Sequence, residues 1–549
     1  LTSAFMLTAS IPFVPVNYAV AVETSETESE SETYTITLSD SGISTNAGED
    51  VATISNNSIT IIKPAVFEVS GEMSEGQIVV DVDKTAYPEG VVELDLLGVN
   101  LTNTSDSPIY IASIGDECQI VSKKGNENTI SDGTSYTNAD GKMGAIYSCD
   151  DLKIKGAGTL TVNGNCEDAI VSKNDIKIFN GTLIVNAVDD CIRGKDSVTI
   201  GNAKDTSFDK LKVTVNSKSG EGIKSTETDT TSGKGYITIN GGTVDVTAYS
   251  DGIHASQLLN VNGGDITIET TCPANSSSGG NSGWNPGGSW GGGGMGGSST
   301  GILNISGGYM YVRAEGDGID SNGNITISGG TVIVCGPTRG GNGIFDKGDG
   351  NYTMTFTGGT VFGIGTSDMM ETPSTSNGKY AVSRSMTLSA GNLIFAKEGD
   401  KVISVLTVPS DINMNGAVQF YSDRAGSDIQ ISSGGTYDGY LNSDGYGDGS
   451  SEPIVTTTTT EATTTTTTTT TVTTTSETPV TYIKGDANGD GSVDIADVVA
   501  IAAYVGDSKT NTLSDEAIIS ADVHNTGNGI TADDALMVQQ YIANIISEL

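Results

Sequence analysis

Five short segments place a carboxylate two residues ahead of an isoleucine: Glu167-Asp168-Ala169-Ile170, Asp189-Asp190-Cys191-Ile192, Gly220-Glu221-Gly222-Ile223, Ser250-Asp251-Gly252-Ile253 and Gly316-Asp317-Gly318-Ile319. Three residues after the acid come Arg193, Lys224 and His254, with Lys195 nearby. If these segments stack as neighbouring coils, about 4.8 Å apart, like charges crowd at one corner beside a basic row. Such crowding is unfavourable unless a cation lies between the carboxylates. Calcium, hard and oxygen-seeking, is the natural occupant, with Asp168, Asp189, Asp190, Glu221 and Asp251 as possible ligands. Three readings stay open. The acids hold structural calcium or cap turns through neighbouring amides. They hold a polysaccharide chain, with Arg193 and Lys224 as contacts. Or calcium acidifies the α-proton of a uronic acid and Lys195, Lys224 or Arg193 removes it, which is β-elimination.

A second set of oxygen ligands lies near the C-terminus. Residues 486–497 read DANGDGSVDIAD, with Asp486, Asn488 and Asp490 at positions 1, 3 and 5 of an EF-hand-type loop. Gly491 supplies the turn, the Ser492 carbonyl falls at position 7, and Asp497 closes at 12. The apolar run VVAIAAYV predicts a helix directly after it. A weaker copy comes next. Aligning Tyr504 with Tyr541 sets Asp534 opposite Asp497, so the second loop runs from Asp522 to Asp534 with Asn528 as a further ligand. His524, Asn525 and Thr526 compete for the remaining position.

The elements that must position these groups are read from pattern. A Gly turn followed by an apolar pair recurs at Gly158-Thr159-Leu160, Gly181-Thr182-Leu183, Gly242-Thr243-Val244 and Gly264-Asp265-Ile266, then at Gly308-Tyr309-Met310, Gly330-Thr331-Val332, Gly359-Thr360-Val361 and Gly391-Asn392-Leu393. The tightest spacing is about 22 residues, each unit holding three short β runs with one buried face. The expected fold class is therefore all-β, a right-handed parallel β-helix (solenoid) over 34–450, followed by a small all-α calcium-binding module of two loop–helix copies over 481–549. Residues 1–21 read as a signal peptide missing its upstream part, with Ala19-Val20-Ala21 as the cleavage site. Residues 22–33 are an acidic Ser/Thr linker, and 451–480 a Thr-rich one. The Gly-rich stretch 276–299 holds both tryptophans of the chain, Trp284 and Trp290. It reads as a flexible excursion or, through stacking of indoles on sugar rings, as a carbohydrate contact.

Composition narrows the partners. With 27 Lys+Arg against 68 Asp+Glu the formal charge is −41, which disfavours nucleic acid and anionic membranes. An acidic polymer would need divalent cations as bridges. No run of 18 apolar residues suggests a membrane span. Six cysteines without a CxxC pair leave either one or two disulfides or packed free thiols, Cys166 and Cys191 being candidates for neighbouring coils.

Two resemblances add to this. The duplicated loop–helix behind a Thr-rich linker resembles a type I-like dockerin, which implies a cohesin on a scaffoldin as partner and calcium as cofactor. Specificity positions 10 and 11 of that family fall on Ile495 and Ala496 in the first copy and on Ala532 and Asp533 in the second; the usual Ser-Thr pair is absent. The stretches SGEMSEGQIVVDV, LLGVNLTNTSDSPIYI, GNENTISDGTSYT, DDLKIKGAGTLTVNG, AVDDCIRGKDSVTI and GEGIKS resemble a clostridial family of carbohydrate-binding β-helix proteins. That resemblance implies calcium, cellulose or pectic polymers as ligands, and binding rather than cleavage. The function expected is a secreted cellulosome component that binds plant cell-wall polysaccharide. A calcium-dependent pectate lyase and a structural cell-surface adhesin are the alternatives.

Overall fold

In a computed structural model the described residues are 32–449 apart from 138–143, 205–209, 272–283, 287–300, 316, 322, 339–341, 348–350, 376–380 and 427, then 484–488, 493, 495–506, 513, 515–523 and 530–542. The chain divides into two compact units, 1–456 and 457–549.

In the first unit the Gly-turn repeat becomes three short strands per turn of chain. Asp175–Ile178, Gly181–Ala187 and Ile192–Gly194 pair in parallel with Asp151–Gly156, Thr159–Gly164 and Ile170–Ser172 on one side. On the other side they pair with Ser197–Ile200, Leu211–Ser217 and Ile223–Ser225. Alternate residues point inward because strand side chains alternate with period two, so equivalent residues form files. Ile109, Ile146, Ile170, Ile192, Ile223 and Ile253 are consecutive partners and fully buried. Each contributes about 1.5–3 kcal/mol by leaving water. Outward positions are bound by side-chain ladders: Asn186 Nδ2 donates to Asn163 Oδ1 (2.9 Å), and Asn216 Nδ2 to Asn186 Oδ1 (3.0 Å).

The expectation of a right-handed parallel β-helix running through 34–450 is corrected by the sheet topology. The sheets are large and mixed, of 25, 12 and 4 described strands, and they do not close into one uniform solenoid. The 12-stranded sheet starts with an antiparallel hairpin, Ala52–Ser55 with Ser58–Ile61. The 25-stranded sheet ends with Met414–Ser422 running antiparallel between Thr360–Gly365 and Ala381–Leu388. Beyond Ala381 the chain folds back as an antiparallel second layer built from Leu393–Glu398, Lys401–Thr407, Ile429–Ser433 and Tyr446–Gly447. It packs as in a β-sandwich: Ile394, Ala396, Ile403 and Leu406 cover Ile333, Phe362, Ile364 and Phe420, with the Phe362 and Phe420 rings edge to face at 5.3 Å. The cause is in the outward files. Ile333 and Phe362 stand in the file where the coils from Thr214 to Thr267 carry Thr or Asp, and an apolar outer face must be buried.

The second unit holds α1 (Ile495–Gly506), α2 (Asp515–Ala521) and α3 (Ala532–Ile542). Two loop–helix copies account for α1 and α3; α2 is a correction to that count. Ile501, Ala521 and Val538 meet in a small core with Ala487, Val523 and Ala535, so the extra helix supplies core wall that two helices alone lack. No helix among the described residues is long and apolar enough to cross a membrane. The five described cysteines, Cys118, Cys149, Cys166, Cys191 and Cys335, are free thiols; Cys272 lies outside the described residues, as do residues 1–31 and 451–483.

Candidate functional site

The turns into five strands of the 12-stranded sheet, those holding Ile170, Ile192, Ile223, Ile253 and Ile319, set a carboxylate two residues before an inward isoleucine. Asp168, Asp190, Glu221 and Asp251 are all buried there. The residue after each isoleucine forms the next file, Val171, Arg193, Lys224 and His254. Backbone amides thread the acids: Asp190 N–H donates to Asp168 Oδ1 and Glu221 N–H to Asp190 Oδ1, both at 3.0 Å. Further along, Gly343 N–H donates to Asp317 Oδ1 at 2.6 Å.

The cations interleave with the acids. Arg193 pairs with Asp168 and Lys224 with Glu221, while Lys224 Nζ stands 3.2 Å from Asp190. His254 Nδ1 lies 3.1 Å from Glu221 and 3.5 Å from Asp251. The like-charge crowding that sequence spacing assigns to a metal is therefore met in part by the chain's own side chains. Burial pushes Asp168 up to about 6 against the pull of Arg193. Burial, then the negative charge of Glu221, pushes Asp190 up to about 8. Glu221 is held well below the carboxylate range: burial opposes this, but hydrogen bonds from His254 and Asp190 and the charge of Lys224 outweigh it. Burial alone would lower Lys224, yet Asp190 and Glu221 hold it above the ordinary lysine value.

A general base in β-elimination must give up its proton near working pH. Lys224 is shifted the other way, Arg193 is tied to Asp168, and Lys195 Nζ pairs with Glu227 at 3.1 Å. Arg193 Nε is a buried donor without a hydrogen-bond partner. Among the described residues two groups have ligand atoms mutually within 4.8 Å: Asp168, Asp189 and Asp190, and Glu221, Asp251 and His254. The first, all hard oxygen with Asp189 exposed, suits calcium; the second carries an imidazole, which a hard cation favours less.

Sequence reasoning missed the change of charge after Ile319. There the basic file gives way to Asp320, in register with Asp346. Burial and the charges of Asp317, Asp346 and Asp251 raise Asp320 well above the carboxylate range. The signal was present as Ile319-Asp320 where Ile-Arg or Ile-Lys stood before. Trp284 lies in the strand Trp284–Pro286, in register with Ile253 and Ile319, so part of the Gly-rich stretch is a rung of the stack. Trp290 is outside the described residues.

In the second unit Asp486, Asp497 and Asp534 are buried. Asp497 Oδ1 accepts from Ala487 N–H (2.9 Å) and Asn488 N–H (3.1 Å). Asp534 Oδ1 accepts from Val523 N–H (2.8 Å), and its Oδ2 from Thr531 N–H (2.7 Å). Each closing acid thus reaches the residue just after Asp486 or Asp522, which gives the two copies the same geometry. Asp490, Ser492 and Asn528 lie outside the described residues. Ile495 and Ala496 open α1, and Ala532 and Asp533 open α3. Among the exposed apolar residues of this unit, Val499, 62% exposed, and Leu536, 49%, went unread. They are equivalent under the Tyr504–Tyr541 alignment, each two residues after a closing acid.

A family profile described as carbohydrate-binding domain-containing protein matches residues 55–341, and the type I dockerin domain matches 484–543. Over 142 residues the chain is 41% identical to a carbohydrate-binding domain-containing protein of Acetivibrio thermocellus, covering 25% of this chain and 48% of that protein. Over 73 residues it is 36% identical to a xylanase/beta-glucanase of Ruminococcus flavefaciens, covering 12% of this chain and 9% of that protein. The matches thus span about half of the first relative and a small part of the second. Among solved structures it is similar to a polysaccharide lyase-like protein from C. thermocellum, a gadolinium derivative, at 32% identity and a TM-score of 0.39, covering 44% of this chain and 92% of that one. The carbohydrate-binding profile takes in more than half of the sequence, including every rung of the ladder from Asp168 to Asp317, so the chain belongs to the carbohydrate-binding domain-containing protein family and carries a type I dockerin domain behind it.

Proposed function

We propose that this protein is an extracellular cellulosome component that holds plant cell-wall polysaccharide on its stacked-strand unit and attaches through its dockerin to a cohesin of a scaffoldin. The observation that carries a holding rather than a cleaving role is the engagement of Arg193, Lys195 and Lys224 in ion pairs. Calcium on Asp168, Asp189 and Asp190 would bridge the acidic protein to a pectic polymer, and the partly exposed guanidinium of Arg193 suits a uronate carboxylate. In the tail, Asp486, Asn488, Asp490, Ser492 and Asp497, with Asp522, Asn528 and Asp534, would hold calcium. Val499 and Leu536 offer equivalent apolar contacts to a cohesin from either copy.

Affinity gels containing polygalacturonate or cellulose, run with calcium or with chelator, test this reading. Retardation by polygalacturonate with calcium, lost in chelator and in Arg193→Ala, is expected, without the ultraviolet absorbance of unsaturated uronides. A sustained absorbance rise makes the protein a lyase; passage through every gel unretarded leaves it a structural adhesin.

A further inference from the structure

A groove lies far along the sequence from the ladder. One outward file of the 25-stranded sheet runs Thr214, Asp245, Thr267, Tyr311, Ile333, Phe362. The polar members precede the second layer, and Ile333 and Phe362 lie beneath it. Tyr311 and its strand neighbour Tyr309 stand at the border. There the segments around Pro409 and Asn442 rise beside them and enclose a groove of about 470 Å³ lined by Tyr311, Pro409, Ser410, Leu441, Asn442 and Asp444. That volume is within the range of small-ligand clefts.

The groove is built before any ligand arrives. Tyr309 Oη donates to Asp444 Oδ2 (2.9 Å) and accepts from Asn442 Nδ2 (2.8 Å). Asn442 Oδ1 in turn accepts from the Asp444 and Tyr446 amides (3.1 and 2.9 Å). On the facing wall Val408 is tied by backbone hydrogen bonds to Gly391 and Asn392, both at 2.9 Å. A half-buried tyrosine ring beside a carboxylate, a carboxamide and a hydroxyl is the chemistry that grips a sugar: the ring takes the apolar C–H face, and the polar groups take hydroxyls. The charge nearby disfavours uronates. Burial, with the charges of Asp444 and Asp245, raises Asp265 above its ordinary value, so this side of the face is acidic, while Asp411 is paired with Arg313.

We infer that the groove between Tyr311 and the 409–410 and 441–444 segments is a second saccharide site, which takes an uncharged polysaccharide chain without metal. It deepens the polysaccharide-holding reading and rests on it only for the ligand class. Titration calorimetry of the full chain with cello- and xylo-oligosaccharides in chelator tests it. Binding of at least one of them is expected, weakened about tenfold or more in Tyr311→Ala, where the ring contact is lost. Ser410→Trp, an exposed rim substitution that fills the groove, should weaken binding as much and decides the case if Tyr311→Ala misfolds. No binding of uncharged oligosaccharides in chelator, or equal binding by parent and Ser410→Trp, overturns this site. Calcium-dependent binding of polygalacturonate would stand untouched by that failure.

Discussion

Burial, then the negative charge of Glu221, pushes Asp190 up to about 8 in the metal-free protein. The same group in an unfolded chain titrates near 3.8. Between those values the folded state holds more protons than the unfolded one, so stability falls as pH rises from about 4 to about 8. Asp168, pushed up to about 6, adds to the fall over the lower half of that window. Glu221, shifted down, acts in the opposite sense and costs stability only as pH drops below its unfolded value. Replacing Asp190 by Asn keeps an oxygen for the Glu221 amide while removing the titration. Asp190→Asn should therefore raise Tm at pH 8 relative to the parent and flatten the decline of Tm with pH, measured by thermal melts in chelator. A parent whose Tm climbs steadily between pH 5 and 8 would show that Asp190 is charged throughout. The acids and the basic file were legible as residues because strand register repeats them. Their mutual neutralisation was not, because spacing fixes a position along the file and leaves open which carboxylate each cation reaches.

At the scale of elements, the repeating Gly turn was legible and its continuation was not. Gly264, Gly308, Gly330 and Gly359 all adopt positive φ, and they stack. A Cβ on Gly308 would meet Gly264 O at 2.7 Å, one on Gly330 would meet Gly308 O at 2.6 Å, and one on Gly359 would meet Gly330 O at 2.3 Å. Gly391-Asn392-Leu393 carries the same local signature, and Gly391 has φ +75. It nevertheless leads into Leu393–Glu398 of the antiparallel layer. A turn motif states that the chain reverses with a left-handed residue; it is silent on which strand waits on the far side. That is why a uniform solenoid was expected through residue 450 and a folded-back second layer was found. The two glycines should separate on mutation. Gly391→Ala meets nothing within 4 Å and should cost about 1 kcal/mol from φ alone. Gly308→Ala adds a backbone clash that no side-chain movement relieves and should cost about 2–3 kcal/mol. Urea midpoints of the two variants test this, and equal midpoints would mean that the stacked carbonyls yield easily.

For the molecule as a whole, the formal charge of −41 is managed differently in its two units. The stack buries acids beside Arg193, Lys224 and His254, which offset part of that charge from within the chain. The tail buries Asp497 and Asp534 completely, and both are ligands of the proposed calcium loops. A buried carboxylate whose counter-charge is a removable ion couples folding to binding of that ion. Chelator should therefore act on one unit alone. The helical circular-dichroism signal and cohesin binding should disappear together, while the β signal and the main cooperative melt persist. Asp497→Ala in calcium should reproduce the chelated state, and Val499→Asp with Leu536→Asp should lose cohesin while keeping the helical signal, since both side chains are exposed. The first loop is readable because its ligands alternate around one glycine turn. The second is read as one residue longer, and the Val523 amide donates to Asp534 as the Ala487 amide does to Asp497. A tail that keeps its helices and its cohesin affinity after chelation would mean that the amides of Ala487, Asn488, Val523 and Thr531 suffice to hold the two acids, and that the metal is dispensable to the fold.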